Sequence, residues 1–152
     1  MAMTMTGEVT LPARRPQVWS MLNDPTVLEA CIPGCQSLEK TSDSSFAAVA
    51  KIKIGPVSAS FKGKVQLSEI DPPNGYTISG EGEGGIAGFA SGSAKVHLAD
   101  ATEGTMLRYE VTANVGGRIA QMGSRLIDGV AKKMADQFFS NFASVIDDKQ
   151  VS

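Results

Sequence analysis

The chain has 152 residues, 42% hydrophobic and 20% charged, with a net charge of −2 and a pI near 5.4. That length favours one domain with an adequate core, and the composition is that of an ordinary globular protein. The acidic balance argues against a nucleic-acid surface, and no apolar run reaches membrane-spanning length. The first residues lack the basic region and apolar segment of a secretory signal, so the expected compartment is the cytoplasm, with both cysteines reduced.

Met3, Met5, Gly7, Val9 and Leu11 alternate with Thr4, Thr6, Glu8 and Thr10, which predicts a half-buried strand stopped by Pro12. Pro16 suits an early helical position, followed by Val18, Trp19, Met21 and Leu22. Asp24 as N-cap, with Pro25 behind it, starts a second short helix. It carries Val27, Leu28 and Cys31 and ends at Pro33-Gly34.

Strands follow in series. Leu38 marks a short one, and Phe46, Ala48, Ala50, Ile52 and Ile54 alternate against Lys51 and Lys53. After Gly55-Pro56, the residues Val57, Ala59, Phe61, Gly63, Val65 and Leu67 alternate against a polar set that includes Lys62 and Lys64. An even loop puts both apolar sets on one face and all four lysines on the other. Those lysines form a basic patch whose partner would be solvent, anionic lipid or an acidic protein. Pro72-Pro73-Asn74-Gly75 predicts a turn, and Tyr76 and Ile78 lead into the glycine-rich stretch 80–88. Two more alternating runs complete the series: Ala90, Gly92, Ala94, Val96 and Leu98, then Leu107, Tyr109, Val111, Ala113 and Val115.

The C-terminal stretch is of another kind. Met122, Leu126, Val130, Met134, Phe138, Phe142 and Ile146 recur at i+4, with Ile119, Ile127, Ala131 and Phe139 beside them. This predicts an amphipathic helix from Gly117 to about Ile146, about 45 Å long. An i+4 row drifts about 40° around the axis at each step, so the apolar stripe winds. Gly123 and Gly129 are the candidate kink points. One strand, two short helices, about six antiparallel strands and a long helix define an α+β class, with the helix covering one sheet face. Residues 1–148 are expected to form a single domain and residues 149–152 a tail.

Inward positions near mid-strand are small: Ala48, Ala50, Ala59, Gly63, Gly80, Ala90, Gly92, Ala94 and Ala113. They either let the helix approach closely or leave a void, and a large apolar void is costly unless occupied. The favoured expectation is a ligand cavity. Its predicted lining is Ala59, Phe61, Gly63, Ile78, Ala90, Gly92, Ala94 and Tyr109 from the sheet, with Met122, Leu126 and Met134 from the helix. On that reading Gly92→Leu fills the space at near-neutral stability and blocks the ligand.

Other motifs carry less. Gly80-Glu81-Gly82-Glu83-Gly84-Gly85 matches G-x-G-x-x-G, but an alternating strand follows it where a phosphate site needs a helix. Cys31 and Cys35 have the wrong spacing for a redox pair, and with His97 remote in sequence four zinc ligands are hard to assemble. No serine lies in a nucleophile elbow, and Glu81, Glu83 and Glu110 have no partner in sequence. No cofactor, metal or catalytic residue is expected.

Seven segments together resemble the carbon monoxide dehydrogenase G-subunit family of the START-like (SRPBCC, helix-grip) superfamily. They are Met-Thr-Gly-Glu at 5–8, Val-Trp-Ser-Met-Leu-Asn-Asp-Pro at 18–25, Cys-Ile-Pro-Gly-Cys at 31–35 and Ile-Gly-Pro-Val at 54–57, then the stretches 61–65, 80–90 and 116–127. The resemblance implies a curved antiparallel sheet of about seven strands gripping the C-terminal helix around an apolar cavity. It implies an accessory role in recruiting a molybdenum hydroxylase of the carbon monoxide dehydrogenase type to the membrane, and with the expected cavity the favoured expectation is a non-catalytic module that binds a quinone or other lipid. A membrane surface is therefore a candidate partner, and the expected location is cytoplasmic or peripheral at the inner face of the membrane. Some members carry an anchoring tail beyond the helix; this sequence departs from them, ending at Ser152 soon after Ile146. The rival expectations are a START-like cyclase or hydrolase acting on a small apolar substrate, and an interaction domain with a filled core.

Overall fold

The computed structural model describes residues 2–151. The order is β1 (Ala2–Leu11), α1 (Arg15–Leu22), α2 (Pro25–Cys31), β2 (Cys35–Ser42), β3 (Ser45–Ile54), β4 (Val57–Asp71), β5 (Gly75–Glu83), β6 (Phe89–Ala101), β7 (Gly104–Gly116) and α3 (Ser124–Val151). Short 3-10 turns at Gly85–Ala87 and Arg118–Met122 lead into β6 and α3. The seven strands make one antiparallel sheet in the order β1-β7-β6-β5-β4-β3-β2. This is the α+β helix-grip architecture. Residues 149–151 continue α3, and Ser152 lies outside the described residues.

Local chemistry explains the element ends. Asp24 accepts the Thr26 amide at 2.9 Å and Pro25 occupies the first turn, so α2 is capped as its sequence predicts. Ile54 pairs with Val57 across a two-residue loop in which Gly55 has φ +58. A two-residue loop keeps the two strands in phase. The inward sets therefore run continuously across the sheet, as in Phe46–Val65–Gly80–Gly92–Ala113. Lys51, Lys53, Lys62 and Lys64 all lie on the opposite, exposed face.

The C-terminal helix differs from its expected form in two ways. It does not begin at Gly117. Gly117 (φ +78) and Gly123 (φ +91) both adopt left-handed backbone, which breaks 118–122 away as a 3-10 turn before α3 starts at Ser124. Its buried face also follows the i+4 row only over the far half of the helix. Phe142 and Ile146 are fully buried, but Leu126 is 37% exposed while Ile127 is 5% exposed. Four steps of about 40° separate Phe142 from Leu126, a rotation of about 160°. The inner face passes instead through Ile127, Ala131, Ala135 and Phe138-Phe139.

The interior has two parts. One cluster joins α1, α2 and the far half of α3 to the sheet through Leu11, Val18, Leu22, Cys31, Phe46, Tyr76, Leu98, Leu107, Phe142 and Ile146. A smaller one, Val57, Ala87, Val115, Ile119 and Ile127, plugs the end where the two 3-10 turns meet.

Candidate functional site

Within the first cluster lies a cavity of about 300 Å³. Its floor is the sheet: Met5, Val65, Leu67, Ile78, Ala94, Val96 and Val111. Leu22, Leu28 and Ile32 wall it from α1 and α2, and Ala135, Phe138 and Phe139 roof it from α3. Leu38 and Phe46 close the side towards the β2 edge. The lining is apolar except for two phenols, Tyr76 and Tyr109. Larger hollows on the outer sheet face, about 800 and 530 Å³, are open and walled by lysine and glutamate side chains.

Both phenols have structural duties. Tyr76 donates to the Leu22 carbonyl at 3.4 Å and packs edge-on against Trp19 at 5.1 Å, tying α1 to the sheet. Burial pushes its phenol well above the ordinary range, so it stays neutral. The Tyr109 ring lies across Gly7, where a Cβ would collide with it, and stacks on Phe139 at 5.4 Å. Phe139 packs edge-on to Phe138 at 5.1 Å, and Phe138 stacks on Phe142 at 6.0 Å. An aromatic ladder therefore runs from β7 along the inner face of α3. Among the described residues no carboxylate, imidazole or thiol lines the cavity.

Of the predicted lining residues, the structure brings Ile78, Ala94 and Tyr109 to this cavity. Ala59, Phe61, Ala90 and Met122 instead pack around the smaller plug cluster. Leu126 is turned outward near Gly55, and Met134 lines a groove on the other side of α3. Gly63 and Gly92 do not line this cavity. A Cβ at Gly92 would sit 2.5 Å from the Thr112 carbonyl oxygen and 3.0 Å from Ala113, and one at Gly63 would sit 2.9 Å from the Glu81 oxygen. These glycines serve the close approach of coiled neighbouring strands, so Gly92→Leu cannot be a cavity-filling change.

Sequence reasoning passed over most of the lining, including Met5, Leu38, Phe46 and Val65 on the sheet, Leu22, Leu28 and Ile32 at α1 and α2, and Ala135, Phe138 and Phe139 on α3. The apolar period of the two short helices marks Leu22 and Leu28 as buried, but nothing local says that those helices fold across this opening.

Cys31 is fully buried and Cys35 partly so; Cys35 donates to the Ser37 carbonyl at 3.4 Å. Among the described residues no group of histidine, cysteine and acidic side chains could hold a metal ion. No helix there is long and apolar enough to cross a membrane.

A curved sheet closed on a long helix over an apolar cavity is the START-like, helix-grip class of protein. Within that class the chain belongs to the carbon monoxide dehydrogenase G-subunit (CoxG) family, whose model matches residues 7–147. It is 33% identical to a conserved protein from Geobacillus kaustophilus, with a TM-score of 0.90 over 96% of each chain. Ara h 8.0201 is 17% identical, with a TM-score of 0.65 over 97% of this chain and 99% of its own. The Zhui aromatase/cyclase from Streptomyces sp. R1128 is 11% identical, with a TM-score of 0.65 over 95% and 93%. These last two likenesses show the fold alone. No curated protein matches the sequence.

Proposed function

We propose that this protein is a non-catalytic carrier of an apolar ligand, a quinone or other lipid, and an accessory to a molybdenum hydroxylase of the carbon monoxide dehydrogenase type. The observation that carries the reading is the cavity lining. A void of about 300 Å³ walled by aliphatic and aromatic groups is a liability on the order of several kcal/mol if empty. It is relieved when an apolar guest replaces the missing contacts. Its volume sits at the low end of small-molecule sites, about 300–1,000 Å³. A ring or short chain is accommodated inside, and a longer tail must leave the protein. With the Tyr76 hydroxyl already bonded, Tyr109 is the one free titratable group in the wall among the described residues, and that supports binding over cyclase or hydrolase chemistry.

Family membership supports the oxidoreductase partner. In this reading the protein works in the cytoplasm and visits the inner face of the membrane, where it collects its ligand and brings the hydroxylase with it. Native mass spectrometry of protein isolated from its own organism tests the ligand. A retained lipid-sized mass released by denaturation is expected. A ligand-free protein that also fails to bind quinone analogues and fatty acids would contradict the reading.

A further inference from the structure

The two ends of the sheet differ in character. The β2–β3, β4–β5 and β6–β7 turns lie together at one end and carry or flank Asp43, Asp71, Asp100 and Glu103. Arg14 and Arg15 are near them, and Arg15 already pairs with Asp100. At the other end the connections are 55–56, 84–88 and 117–123, followed by the first turn of α3. Residues 55–56, 84–88 and 117–126 include Arg118 and Arg125 and no acidic residue. Both arginines are exposed and outside every ion pair among the described residues. The nearest acids in sequence are Glu83, which stands opposite Lys62 across the ladder, and Asp128, a turn further along α3.

This end also gathers exposed apolar side chains. Of the four large ones exposed among the described residues, Ile86 (88%), Phe89 (52%) and Leu126 (37%) are here, and only Ile70 is at the acidic end. Single apolar residues scattered over a surface are ordinary, but three at one acid-free end are a patch.

The display of Ile86 is built into the backbone. The Gly84 amide donates to the Gly88 carbonyl at 2.8 Å and the Ala87 amide to the Gly84 carbonyl at 3.1 Å, which closes the turn. Ala87 is buried in the plug cluster with Ile119, so its neighbour Ile86 is held outward. Gly117 meets Gly88 so closely that a Cβ on it would fall 2.6 Å from the Gly88 Cα, and Arg118 is thereby set beside the turn. The Phe89 ring lies over Gly116, and Leu126 reaches Gly55.

Such a tip fits a bilayer better than a protein. A standard protein interface buries about 800 Å² per partner, more than a few side chains on separate turns supply. A bilayer asks only for apolar side chains that dip below the headgroups and cations at the level of the phosphates. The acidic far end is repelled by the same negative surface, so the charge distribution orients the molecule.

We propose that this end is a membrane-docking tip. Ile86 enters the interfacial region of an anionic bilayer, Phe89 and Leu126 flank it, and Arg118 and Arg125 meet lipid phosphates. The inference rests on the reading above that the protein visits the membrane, and it names the surface used.

The test is sedimentation with vesicles of phosphatidylcholine alone and of phosphatidylcholine mixed equally with phosphatidylglycerol. It compares the wild type, Ile86→Ser and Arg118→Gln/Arg125→Gln. Ile86 is outside both core clusters, and denaturant melts check that the three proteins are equally stable. We expect the wild type to bind the anionic vesicles and to leave the neutral ones. Each variant is expected to lower the bound partition about tenfold. All three should bind a fluorescent fatty acid equally in vesicle-free solution, because the tip is apart from the cavity. Equal binding of both vesicle types by the wild type, or anionic-vesicle binding retained by either variant, overturns the tip. A wild type that ignores both vesicle types overturns membrane docking and makes the tip a protein contact, while the vesicle-free titration judges the cavity reading separately. Fatty-acid binding lost in the variants alone would place their effect in the cavity and also overturn the docking site.

Discussion

The side-chain amide of Asn141 on α3 donates to the main-chain carbonyl of Cys31 at 3.0 Å. Cys31 is the last residue of α2, so the bond closes the seam between the two helices that wall the cavity. Gln137 donates to the other end of that amide at 3.1 Å and fixes its orientation. Leu28 and Ile32 lie on one side of this seam, Ala135 and Phe138 on the other.

Asn141→Ala is therefore expected to cost about 1 kcal/mol in urea unfolding, the usual net worth of such a bond. It should also speed the exchange of a bound probe, because the seam opens more often. Stopped-flow displacement reads the second effect. Unchanged stability with unchanged off-rate would mean that apolar packing alone closes the seam.

Gly92 and Ala94 differ by two positions and should respond oppositely to the same enlargement. At Gly92 the added Cβ meets backbone at 2.5 Å, so Gly92→Leu is expected to lose 3 kcal/mol or so, at or above the about 1–3 kcal/mol of overpacking. Ala94 faces the cavity, and Ala94→Leu should move the unfolding midpoint little. Paired denaturant melts check this, and equal losses would contradict the assignment of space to the two positions.

The buried thiol gives a pH prediction. Burial raises the Cys31 thiol above the ordinary 9.0, because the thiolate would be poorly solvated. The unfolded chain ionises first as pH rises, while the folded chain keeps its proton. Stability from this source is full below about pH 9 and declines as pH climbs through the window up to the raised value. The slope of unfolding free energy between about pH 8.5 and 10 should be shallower in Cys31→Val. A thiol reagent should label Cys35 first and reach Cys31 only on unfolding. Equal labelling rates in native protein would contradict the burial.

Much of the fold is legible because strand alternation and the Gly55-Pro56 loop leave one consistent register. The inward and outward sets from Phe46 to Val115 follow from period two alone. The cavity is less legible. Leu126 belongs to the i+4 row yet faces out, since a row of that spacing rotates away from the sheet over four turns and the sequence does not say which turn is in contact. Gly92 and Gly63 suggest empty space, but a missing side chain records backbone approach as readily as a void. Leu22, Leu28 and Ile32 become walls only through the placement of α1 and α2, a long-range outcome with no local signature.

The central claim is that the space bounded by Ala94, Ile78, Phe138 and Phe139 holds an apolar guest. The most direct measurement is a titration of a quinone analogue or fluorescent fatty acid into wild type and Ala94→Leu, with melts of both. Saturable binding by the wild type, weakened at least about tenfold in Ala94→Leu while stability changes by less than about 1 kcal/mol, is the predicted result. Equal binding by the two proteins, or no binding by either, would contradict it and leave a filled-core interaction domain as the better description.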